Sequence, residues 1–432
     1  MLLVCQSSLV NTHHGESWLW DNGRGARVVV DVGDDADLAS RAANFDPDIL
    51  VLTHDDQDHI GAAKFFFEHQ SAEVPPRADK VESTLRGRPR VRELWVPSDW
   101  LRLALAAHEV ISKATSGVVS TRADQVGVEH SRECPEWLRE PQSTEDEGDV
   151  PKHRWFGAFE LPERTQEAEE LPNDVLEALS VITKEHQEAL ADAVAAGVRR
   201  ERWARWGRRH PRGAWSGSTQ EVSKRVAKTA VAVAYILRIA QRHGWQFRFF
   251  DSDFATWSHH TQTSLPPWVT EGIPGVVTVL NAVQVTVHRL QMKDADEALL
   301  TFAFLTVQNR RAIATFLWPQ MLEQADGVII WSDTEARIGG HLPAAPLVPW
   351  HLVGSMSAPH HASVVAQHVE IWKNRPSSVW VINSCNTEDD APEFLAIPPC
   401  LRSCTACLSL EGDSSIWSNG LFASRTCAHN HC

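Results

Sequence analysis

Short apolar runs bounded by turn residues dominate the first hundred positions. Ser17-Trp18-Leu19-Trp20 and Ala26-Arg27-Val28-Val29-Val30 flank Asp21-Asn22-Gly23-Arg24-Gly25, a pattern that predicts a β-hairpin. Asp48-Ile49-Leu50-Val51-Leu52-Thr53 is apolar without alternation, as a strand buried on both faces requires. A polar loop, a helix from about Ile60 to Glu68 and a strand over Glu93-Leu94-Trp95-Val96-Pro97 are expected next. The middle changes character: 140–149 is acidic and loop-like, and two stretches rich in Ala, Glu, Leu and Arg predict helices over about Asn173–Gly207 and Thr219–His243. They read as an insertion or cap beside the sheet, not as part of it. Strand-like sequence resumes at Gln246–Phe250, Gly275–His288, Ala312–Leu317, Gly327–Ser332 and Ser378–Ser384, with no repeat of solenoid period.

With 432 residues, 43% of them hydrophobic, the chain can bury a sizeable core. A net charge of −15 argues against a protein that coats nucleic acid or anionic membrane through its overall field, while leaving room for a local basic groove. The start, Met1 to Val10, lacks the positive region and long apolar region of a secretion signal. The longest apolar stretch, Val226 to Ala240, is broken by Lys228 and Arg238, so no membrane span is expected and a soluble cytoplasmic protein fits best. Cys5, Cys134 and Cys385 are scattered, whereas Cys400, Cys404, Cys407, Cys427 and Cys432 crowd the last stretch; a secreted disulfide scaffold would be short and cysteine-dense throughout.

The chemistry concentrates in His54-x-Asp56-x-Asp58-His59, directly after the apolar strand and before Gly61 and a helix. Ligand-type side chains this close together at a strand's C-terminal end can converge on one point, and His with Asp suits zinc, manganese or iron. The plain alternative is a polar surface loop ending in a helix N-cap aspartate.

This loop resembles the HxHxDH signature of the metallo-β-lactamase superfamily. With Asp56 at the second ligand position and His59-Ile60-Gly61-Ala62 after it, it resembles the ComEC-like subgroup found in DNA-uptake competence proteins, with Ala62 in place of that subgroup's second glycine. The rest of that subgroup's pattern follows in order: His14-Gly15-Glu16-Ser17, Val28-Val29-Val30-Asp31-Val32-Gly33, Asn309-Arg310-Arg311-Ala312-Ile313, Trp331-Ser332-Asp333, Pro359-His360-His361-Ala362-Ser363, and a final strand Val379–Ser384. The subgroup's glycines beside the aspartate and after the histidine pair are replaced by Ser332 and Ala362, changes that would bear on loop shape.

The resemblance implies an α/β fold, a four-layer αββα sandwich with a helical insertion. Its two halves would span 1–135 and 251–398, with the mainly helical insertion or cap at 136–250 and a cysteine-rich tail at 399–432. It also implies two divalent metal ions, zinc or manganese, with His54 and Asp56 on one and Asp58, His59 and one of His360 or His361 on the other. Asp333 would bridge, Asp58 would orient the attacking hydroxide, and Asp31 and Asn309 would support the ligands. The implied activity is metal-dependent hydrolysis. A phosphodiester, DNA or RNA included, is the leading substrate, with an ester, lactone or thioester as the alternative.

Two further clusters carry chemistry of their own. Arg202, Arg205, Arg208 and Arg209, interleaved with Trp203 and Trp206, form a candidate nucleic-acid contact or a solvated helix face. Cys404, Cys407, Cys427 and Cys432 are candidate ligands of a structural zinc, or reduced cysteines. A reading of another class makes the chain an interaction subunit whose 18 tryptophans, insertion and tail bind protein partners.

Overall fold

The computed structural model describes residues 2–7, 16–21, 26–71, 92–115, 167–206, 218–251, 272–273, 275–290, 299, 302, 312–319, 327–334, 350–362, 372, 379–382, 392–398, 401–404, 415–418 and 421–422. The expected hairpin is there. Strand β2 (Glu16–Asp21) pairs antiparallel with β3 (Arg27–Val30), Trp18 opposite Val30 and Trp20 opposite Val28. Parallel pairing then carries the sheet through β4 (Ile49–Val51), β5 (Arg92–Pro97) and β6 (Trp245–Asp251).

Side chains alternate across this sheet with the period of an extended strand. Trp18, Trp20, Val28, Val30, Ile49, Val51, Trp95 and Phe250 face one core, shared with Val277, Val279, Leu317, Val328 and Ile330 of a second sheet. Leu19, Val29, Leu50, Leu94, Val96, Phe247 and Phe249 face the other, which the helices cover. The result is a sandwich of two sheets. One has nine strands and, on its outer face, the helices α1 (Ala36–Asn44), α3 (Ala63–Ser71), α4 (Ser98–Thr115), α5 (Asn173–Val181), α6 (Gln187–Trp206) and α7 (Thr219–Arg242). The other has seven strands, among them β8 (Val277–Val279), β10 (Thr315–Leu317), β11 (Gly327–Ile330), β12 (Val353–Ser357), β13 (Val379–Ile382) and β14 (Arg402–Cys404).

Four differences from the sequence reading matter. The single helix expected from about Ile60 is preceded by a separate short turn, α2 (Gln57–Ile60), which carries two of the ligand-type residues. The stretch Gly275–His288 is two strands, because the chain leaves the seven-stranded sheet after β8 and joins the nine-stranded one as β9 (Val283–Val285). The helices of the middle region, read as an insertion or cap, pack into the main core as α5, α6 and α7, and the last residues of that stretch form β6. The tail also joins the sandwich, since β14 pairs with β13, while β15 (Ser415–Ser418) pairs with β1 (Leu2–Ser7). None of the helices among the described residues is long and apolar enough to cross a membrane.

At the crossing between sheets, Asn281 substitutes for a ladder partner. Its Nδ2 donates to Ala312 O at 2.7 Å and its Oδ1 accepts from Ala314 N at 2.8 Å, all in buried surroundings. Asn281→Ala strands a buried carbonyl and a buried N–H together, so stability should fall by about 2 kcal/mol in a urea melt. An unchanged midpoint and slope would refute this role.

Candidate metal centre

The site forms where strands end. Asp31 follows β3, His54 follows β4, Asp333 follows β11 and His360 follows β12, and in each sheet these strands run parallel, so their C-terminal ends open on one edge. The two sheets are tied there by Ile313 N donating to Thr53 O at 2.9 Å.

Local backbone geometry builds the ligand loop. Asp56 occupies the N-cap position of α2 but makes no side-chain capping bond; its Oδ2 lies instead 3.6 Å from His54 Nε2. The plain reading of this aspartate as a helix cap therefore fails on geometry. The carbonyl of His59 accepts from Val32 N and Gly33 N at 2.9 and 3.1 Å, which presses the loop after β3 onto the helical turn. A Cβ at Gly61 would come 2.4 Å from Gln57 O and 3.2 Å from Asp34 Cα, so only glycine permits this approach.

His54, His59 and Asp333 are buried and bring three candidate ligand atoms within 4.8 Å of one another. The carboxylate of Asp333 sits between the imidazoles: Oδ2 is 3.5 Å from His54 Nε2, and Oδ1 is 3.7 Å from His59 Nε2. Asp58 Oδ2 lies 3.6 Å from His59 Nε2, and the half-exposed His360 places its Nε2 3.4 Å from Asp333 Oδ2. The expected grouping put His360 or His361 with Asp58 and His59, whereas this contact is to the oxygen facing His54. The side chain of His361 lies outside the described residues, as do Asn309, Cys407, Cys427, Cys432, Arg208, Arg209 and the side chains of Arg202, Arg205 and Cys404.

Charge in the cavity fits a cation. Burial and the neighbouring His59 lower the pKa of His54, but Asp333 and Asp56 outweigh them and push it up to about 10. Burial likewise works against a charged His59, yet Asp31, Asp58 and Asp333 raise its pKa well above the ordinary histidine value. Asp55 is pushed up to about 7 by desolvation and by Asp56, against the pull of His54 and Arg225. A divalent ion would neutralise the same carboxylates while taking the two imidazoles in neutral form, as metal ligation requires.

The groups behind the ligands are as ordered as the ligands. Asp31 is fully buried and accepts from His59 Nδ1 at 2.7 Å, which commits that nitrogen and leaves His59 Nε2 as the atom available to a metal. The same carboxylate accepts from Thr53 N at 2.8 Å and Thr53 Oγ1 at 2.7 Å. Thr53 and Ser332 also touch His54 Nδ1; the sequence reading assigns neither a role at the ligands, although Thr53 directly precedes the first histidine. Another contributor is α7: Arg225 acts electrostatically on Asp55 and Asp56, and Lys228 Nζ donates to Gln57 Oε1 at 3.3 Å.

Asp31 meets three donors and offers acceptors to all of them, whereas an amide would turn one side of the group into a donor facing a donor. Asp31→Asn should thus weaken metal affinity by ~10–100-fold and lower stability by about 1–3 kcal/mol. Metal titration together with denaturant melts checks both, and wild-type affinity in this variant would contradict the support role.

No curated protein and no solved structure matches the chain. Residues 11–107, which hold β2 to β5, Asp31 and the whole His54–His59 loop, match the family model of the metallo-beta-lactamase superfamily.

Proposed function

We propose that the chain is a metal-dependent hydrolase acting on phosphodiesters. The observation that carries the hydrolase reading is the buried convergence of His54, His59 and Asp333 at the strand-end edge. His54, Asp56 and Asp333 would hold one divalent ion, and Asp58, His59 and Asp333 a second, with His360 closing the shell. Such a pair supplies Lewis acidity and makes a water nucleophilic near neutral pH. A donor set weighted toward carboxylate oxygens favours manganese over zinc.

The protein's own groups supply the rest. Asp31 and Thr53 hold the imidazoles so that Nε2 of each faces the cavity. Asp58 is partly exposed and beside His59, where it can orient a water and accept its proton. The phosphodiester preference has two supports. One is the likeness of the motif set to the competence-protein subgroup. The other is the cationic flank: exposed Lys228 and half-buried Arg225 of α7 stand beside the ligand loop, where an anionic substrate would approach. An ester, lactone or thioester would gain nothing from that flank.

The test is metal content and manganese- or zinc-dependent cleavage of bis-p-nitrophenyl phosphate and single-stranded DNA, wild type against Asp58→Ala/His59→Ala. Bound metal and cleavage that drops by more than ~100-fold in the variant are expected. Stoichiometric metal with no phosphodiester cleavage would transfer the assignment to ester, lactone or thioester substrates. A wild type that takes up no metal would leave the interaction-subunit role as the better account.

A further inference from the structure

Ser332 combines two features that are hard to reconcile with a passive loop position. It is buried, and its backbone is left-handed at φ 52°, a conformation that glycine takes freely and serine only at a cost. The side chain must therefore be used. Its Oγ lies 2.7 Å from Thr53 Oγ1 and 3.3 Å from His54 Nδ1, while its carbonyl accepts from His360 N at 2.9 Å. One residue thus joins the loops that carry His54, Asp333 and His360.

We propose that Ser332 is a positioning residue for His54, its Oγ standing with Thr53 Oγ1 as the pair of oxygens that hold Nδ1 and turn Nε2 toward Asp333. The inference rests on the reading of His54 as a metal ligand. It follows from counting protons. The carboxylate of Asp31 can only accept, so the hydrogen of Thr53 Oγ1 goes to Asp31 Oδ2. Thr53 Oγ1 is then an acceptor toward Ser332, and the Ser332 hydroxyl spends its own hydrogen on Thr53. His54 Nδ1 is left facing two oxygens whose hydrogens are committed elsewhere, so it donates to them and Nε2 is the atom left for a metal. Without the Ser332 hydroxyl, His54 Nδ1 keeps a single acceptor and Thr53 Oγ1 loses the donor that pins it, so the imidazole is held less firmly.

This arrangement treats the two histidines differently. Asp31 holds His59 directly and reaches His54 only through Thr53, so His54 is oriented by hydroxyl oxygens and not by a carboxylate. Ser332 supplies the second of those oxygens.

The test uses the full chain and cobalt(II) chloride as probe, with Ser332→Gly, Ser332→Ala and Thr53→Val compared with wild type. Ser332→Gly removes the hydroxyl and relieves the backbone; Ser332→Ala removes the hydroxyl and keeps the backbone strained. Both should weaken cobalt affinity by ~10-fold and alter the visible absorption of the bound ion. The metal-free protein should melt at a higher temperature as Ser332→Gly than as Ser332→Ala. Combining Ser332→Gly with Thr53→Val should weaken cobalt binding by less than the product of the single effects, because the two act on one nitrogen. If the melts shift while cobalt affinity and spectrum match those of wild type, Ser332 is merely structural and the inference is overturned. If the wild type binds no cobalt, the metal-centre reading beneath it falls instead.

Discussion

Burying a carboxylate away from water is costly unless donors replace the lost hydration. Asp31 meets that condition with three of them, Thr53 N, Thr53 Oγ1 and His59 Nδ1, at 2.7–2.8 Å. Its backbone is held as firmly, its N–H donating to Val51 O and its carbonyl accepting from Ser17 Oγ. Both candidate imidazole ligands take their orientation from this group, His59 by contact and His54 through the Thr53 hydroxyl. The rest of the centre is arranged around a charge that the sandwich interior immobilises.

Strain is concentrated in the same place. Among the described residues, the non-glycine positions with positive φ are Asp31, Asp46, Ser332, His360 and Ala362, and all but Asp46 lie in the loops of the site. Each such residue costs of order 1–3 kcal/mol and persists only where its surroundings over-determine it. Here the surroundings are strand ends of two packed sheets, joined by Ile313 N to Thr53 O and by His360 N to Ser332 O. Ser332 and Ala362 thus hold, with side chains, a left-handed backbone that glycine takes freely.

The helical middle contributes to the centre as well as to the core. Its α7 begins in a capping box, Ser218 with Glu221, and buries Val222, Val226, Ala230 and Val233 against the nine-stranded sheet. That packing fixes the helix face bearing Arg225 and Lys228 beside Asp55, Asp56 and Gln57. Scaffold and electrostatic flank are thus one element, and the approach to the ligand loop is set by a helix that also stabilises the sheet.

The parts of this protein legible in its sequence are those encoded within a few neighbouring residues. The hairpin around Trp18 and Val30, the buried strand before His54 and the helices after Asn173 and Thr219 follow from local periodicity, and the ligand loop from its close spacing. What escaped was non-local. Val353–Ser357 is too rich in Gly and Ser to announce a strand and becomes one because β11 and β13 flank it. The run Gly275–His288 looks continuous, yet Asn281 lets it change sheets. Ser332 and Thr53 are ordinary residues 279 positions apart whose roles exist only once the two sheets close. Spacing along a chain can nominate ligands; the hydrogen bonds that fix which nitrogen each histidine offers come from residues brought together by packing alone.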